Sequence, residues 1–147
     1  MLALARIFIG CVLIVSGFEK LISPIENFLY VVQSYEIGNP IFNDVASQAV
    51  PWIELFTGVF LVLGLWIHFS LRLAWFLFLG FILMVMQAIW RGLPLDECGC
   101  FGSIVSISPA LIIVLDTTTL VVLTLLKISP EKTSQFGLDR YFQKKTK

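Results

Sequence analysis

Two of the three cysteines in this chain stand one residue apart. They lie in Arg91-Gly92-Leu93-Pro94-Leu95-Asp96-Glu97-Cys98-Gly99-Cys100-Phe101-Gly102, a short polar hinge between long apolar runs. A bond between Cys98 and Cys100 would close a very small ring, far from relaxed disulfide geometry and therefore easily reduced. Such a pair suits disulfide exchange better than the stapling of a fold. Gly99 removes a Cβ where the backbone must turn sharply to bring the thiols together. Two other readings fit the same triplet: small residues at a loop with no chemistry, or soft sulfurs for Cu(I) or zinc that take further ligands from elsewhere. Arg91 favours a thiolate while Asp96 and Glu97 oppose it, so the nucleophilic member of the pair stays open.

A second group of reactive side chains lies inside the apolar runs themselves. Arg6, Gly10, Leu13, Gly17 and Lys20 fall at alternating steps of four and three, which places a charge near each end of one helical stripe and two glycines between them. Such a stripe should face protein, with Arg6 and Lys20 reaching the two interfaces along their stems. Glu54, Thr57, Leu61, Gly64 and His68 repeat the pattern. An isolated carboxylate at Glu54 would be costly in lipid, so pairing or protonation is expected, with Lys20 the natural partner. A glutamate solvated at a helix end is the alternative. Asp116, followed by Thr117, Thr118 and Thr119, sits about halfway along the last apolar run. It reads either as a proton relay or polar anchor, or as a protonated carboxyl bonded to a threonine or the backbone. His68 is the single histidine and reads as an interfacial residue, and Cys11 as a small apolar one.

The elements that carry these residues are set by composition. Of 147 residues 58% are hydrophobic and 14% charged, and the mean hydropathy is +0.92, which no soluble domain of this size would tolerate on its surface. Ten basic and ten acidic residues cancel, leaving no charge argument for nucleic acid. The lipid bilayer is the partner. Four spans are expected, at about 2–21, 51–69, 73–90 and 108–127, making an all-α integral membrane four-helix bundle. Pro51 suits the first turn of the second span, Phe69-Ser70-Leu71-Arg72 a tight return, and Ser108-Pro109 the opening of the fourth. Gly80, Met84, Gln87 and Arg91 form the expected inward stripe of the third. Ile25, Phe28, Leu29, Val32 and Tyr35 predict a short amphipathic helix in the interface between spans one and two. No cleavable signal peptide is expected, because the apolar run from Leu2 lacks a basic start. Phe8-Ile9-Gly10-Cys11 lies too near the start to read as a lipidation site.

Basic residues concentrate in the polar tail at 128–147 and at Arg72, whereas Glu26 to Asp44 carries three acidic residues and no basic one. The positive-inside rule then places both termini and the tail in the cytoplasm, and Cys98 and Cys100 outside it. Trp52 and Trp90 would mark the outer interface, Trp66 and Trp75 the inner. Outside a bacterial cytoplasm is where disulfide chemistry belongs.

Arg6 with Gly10, Ser16-Gly17 and Lys20-Leu21, then Trp52 with Glu54 and Gly58, then Arg91-Gly92, Cys98-Gly99-Cys100-Phe101-Gly102 and Asp116, resemble the MauE branch of the DoxX-like membrane proteins. The likeness covers roughly Leu4 to Leu126, and the Cys-Gly-Cys-Phe-Gly run is its most specific part. It implies a four-helix protein of the bacterial inner membrane, associated with maturation of a disulfide-rich periplasmic subunit. It also implies relatives beside thioredoxin-like or quinone-linked redox proteins. On this reading Cys98 and Cys100 exchange electrons with a periplasmic thioredoxin-like or disulfide-rich client. A quinone between the helices is the class of cofactor that would take them up. Arg91, Glu54, Lys20, Asp116 and Arg6 would be supporting polar residues, and Gly99, Phe101 and Gly102 the motif backbone. A small-molecule or soft-metal transporter, or a non-catalytic membrane assembly subunit, are the other classes. In a transporter Glu54 and Asp116 would line a path and the cysteines would catch the ion at its mouth.

Overall fold

A computed structural model describes residues 2–22, 32–33, 39–91 and 109–128, the side chains of 40, 42, 88, 109 and 110 aside. Four long helices make up almost all of it: α1 (Leu2–Ile22), α2 (Pro40–Leu63), α3 (Ile67–Trp90) and α4 (Pro109–Ile128). Each is long and apolar enough to cross a membrane. The fold is the all-α four-helix bundle that the composition predicts. Of the expected amphipathic segment only Val32 and Gln33 are described, both helical, with Val32 buried and Gln33 exposed; the rest lies outside the described residues.

The helix limits differ from those expected, for local reasons. α2 begins at Pro40 behind Asn39, so the helix starts eleven residues before Pro51, which lies inside it. Two prolines each suit a helix start, and the sequence alone does not rank them. The turn from α2 to α3 falls at Gly64-Leu65-Trp66 instead of Phe69-Ser70-Leu71-Arg72. Gly64 takes the left-handed conformation (φ 67°), and its N–H and that of Leu65, at 3.0 Å, both reach the Phe60 carbonyl. Trp66 is also left-handed, at φ 45°. Ser70 is in the first turn of α3, where its hydroxyl donates to the Leu65 carbonyl at 2.9 Å and so ties the turn to the helix.

α1 packs most extensively on α2, and α3 on α4; lesser contacts between α2 and α3 and between α1 and α4 close the ring. The α1–α2 seam depends on missing side chains. A Cβ on Gly58 would lie 2.7 Å from the Gly10 carbonyl oxygen, and one on Gly17 would lie 2.8 Å from both the Pro51 oxygen and the Leu55 nitrogen. Ile9 and Leu13 of α1, Leu61 of α2, Ile67, Leu71, Ala74 and Phe78 of α3, and Leu123 and Leu126 of α4 form one apolar core. It occupies the end of the bundle where α1 begins and α4 finishes. Successive helices therefore run antiparallel. Arg91 closes α3 and Pro109 opens α4 at the opposite end, the one that the segment 92–108 joins.

On α3 the buried face is Ile67, Leu71, Ala74, Phe78, Ile82 and Val85. Gly80, Met84 and Gln87 are half-buried, Arg91 is exposed, and nothing stands within 4 Å of a Cβ on Gly80. The expected Gly80–Arg91 stripe is therefore not the inward one.

Candidate functional site

Above that core, toward the opposite end, the bundle turns polar. The α1 stripe is buried along its whole length, Arg6 and Lys20 included, so neither stem runs out to an interface. Lys20 turns inward and meets Glu54. Its Nζ lies 2.7 Å from Oε1 and 2.8 Å from Oε2, with Glu54 fully buried at 0% exposure. The third ammonium proton goes to Ser16 Oγ at 3.0 Å, and that hydroxyl donates to Glu54 Oε2, also at 3.0 Å. The phenyl ring of Phe81 on α3 stands 5.1 Å from Nζ and faces the charge. Three helices thus converge on one ammonium, whose three donors all have acceptors.

The local sequence explains the geometry. Ser16 and Lys20 are four apart and share a face of α1. Gly17 between them lets α2 approach closely enough for the Glu54 carboxylate to reach both. Glu54 lies about four turns into α2 rather than one, because the helix starts at Pro40. The solvated helix-end alternative for Glu54 therefore gives way to the pair with Lys20.

Asp116 is half-buried on α4, and its Oδ2 is buried with no hydrogen-bond partner among the described residues. Thr118 and Thr119 turn their hydroxyls to the Val114 and Leu115 carbonyls, at 2.7 and 2.8 Å, so neither donates to the aspartate. Arg6 is buried near the other end of α1, roughly 21 Å from Lys20 along the axis. Arg91 is exposed at the end of α3, its N–H bonded to the Gln87 carbonyl at 3.0 Å. His68 is exposed, and Cys11 is free on the outward face of α1. Cys98, Gly99, Cys100, Phe101 and Gly102 lie outside the described residues.

Sequence reasoning missed Ser16 and Phe81 as members of the cluster. Ser16 carried a usable signal, its spacing of four from a lysine on a glycine-bearing stripe. Phe81 carried none, being one of thirteen phenylalanines in an apolar chain.

A search of curated proteins and of solved structures finds no match. The family described as methylamine utilisation protein MauE matches residues 1–129, a range that takes in all four helices and the hinge. With four helices able to cross a bilayer over that range, this multi-pass membrane protein belongs to the MauE family.

Proposed function

We propose that this chain is a membrane thiol-disulfide exchanger of the bacterial inner membrane, working through Cys98 and Cys100 on the extracytoplasmic side. The observation that carries the reading is the Cys-Gly-Cys triplet in the segment that joins α3 to α4. In the oxidised form, a thiolate of a periplasmic disulfide-rich client attacks one sulfur of the pair and forms a mixed disulfide. A second client thiolate then resolves it. The client gains a disulfide, and Cys98 and Cys100 keep the two electrons as a dithiol. Return to the disulfide needs a two-electron acceptor, for which a quinone in the bilayer is the matching class. A thioredoxin-like partner would use the same steps in either direction. Lys20 and Ser16 of α1 and Glu54 of α2 brace the helix pair packed beside α3 and α4, which carry the hinge, and take no part in the sulfur chemistry.

Thiol labelling of intact cells with a membrane-impermeant maleimide tests this. Cys98 and Cys100 should label only after mild reduction, and a Cys98→Ser, Cys100→Ser variant should insert normally while its client loses disulfides. Labelling that requires the inner face to be opened overturns the topology and the function together. Loss of bound metal in the variant would point to the soft-metal class. A client unaffected by the double variant would point to an assembly subunit.

A further inference from the structure

One face of α2 is polar for most of its length. Asn43, Ser47, Pro51, Glu54 and Thr57 follow at steps of four, four, three and three, and all five are buried. Asn43 is only 6% exposed and Thr57 1%, yet Asn43 Oδ1 and Thr57 Oγ1 have no hydrogen-bond partner among the described residues. Pro51 has no N–H, so the Ser47 carbonyl lacks its helical donor as well. Asp116 Oδ2, on α4, is a third buried side-chain oxygen with no hydrogen-bond partner among the described residues. Buried oxygens of this kind are met by ordered water, which needs polar partners at successive positions. Asn43 to Thr57 spans about 21 Å, from the hinge end of the bundle to one turn beyond the ion pair. Further along, Leu61 and Leu13 belong to the apolar core.

We propose that this face is a one-ended water track, which admits water and hydronium from the Asn43 end as far as the Glu54 carboxylate and is sealed beyond Thr57. The track gives a carboxylate deep in the membrane protonic contact with one side only. It does not depend on the sulfur chemistry, and a chain whose Cys98 and Cys100 never pair would keep it.

The test uses the full chain in lipid vesicles with its three cysteines replaced by serine, and single cysteines introduced as Asn43→Cys, Thr57→Cys, Leu61→Cys and Leu71→Cys. Silver ion is the probe, read as protection from later maleimide labelling of the unfolded chain. Asn43→Cys and Thr57→Cys should react at least tenfold faster than Leu61→Cys and Leu71→Cys. Thr57→Cys as slow as Leu61→Cys overturns the track, and so does rapid reaction at all four positions. The unmodified chain supplies a second measurement that requires no variant to fold. Under hydroxyl-radical footprinting, the buried Pro51 should take up oxygen while Leu61 and Leu71 do not, and equal uptake at all three overturns the proposal.

Discussion

Lys20 has three protons to donate and three acceptors for them, two on Glu54 and one on Ser16. Removing charge from water is costly, and in the bundle that cost is offset only while both partners are present. Glu54→Gln should therefore destabilise the folded bundle by about 3–5 kcal/mol, since it leaves an ammonium buried without its counter-charge. The measurement is a denaturing-detergent titration of the purified chain. Lys20→Met combined with Glu54→Leu should recover most of the loss. A double variant as unstable as the single one would show that shape, and not charge, governs this position. Ser16→Ala removes one hydrogen bond from each ion and should cost less, about 1.5–3 kcal/mol.

Between α1 and α2 the backbones come within reach of each other because glycine occupies Gly10, Gly17 and Gly58. Gly58→Leu should force the pair apart and lower the folded fraction sharply, whereas Gly80→Ala on α3, with open space around it, should shift stability by less than about 1 kcal/mol. Detergent titration of the two variants side by side checks the contrast. The same elements show what the sequence could convey. The α1 stripe was legible because charges and glycines at a four-three repeat mark a protein-facing side even in an apolar helix. So was the face of α2 from Glu54 to Gly64, and with it the Lys20–Glu54 pair. The inward face of α3 was not, because Leu71, Phe78 and Val85 are no more apolar than the lipid-facing residues beside them. In a membrane that contrast no longer separates inside from outside. The start of α2 and the turn at Gly64 were lost for another reason. Pro51 and Gly64 each have two ordinary uses in a helix, and only tertiary placement selects one.

Taken whole, the bundle has one end that holds the apolar core, where α1 begins with the buried Arg6 and α4 finishes, and a polar end reaching toward the hinge. The first and last described residues, Leu2 and Ile128, both lie at the end that holds the apolar core. A fluorescent reporter fused after Lys147 should fold and glow in the cytoplasm, and an alkaline phosphatase fused there should stay inactive; the reverse outcome would invert the membrane orientation of the whole chain. Lys20 leaves the ribosome 34 residues ahead of Glu54. The first helix is therefore complete while its neutralising partner is still being synthesised. A lone ammonium on it is costly in lipid, so α1 and α2 entering the bilayer as a hairpin, with Lys20 and Glu54 already paired, costs less than α1 entering alone.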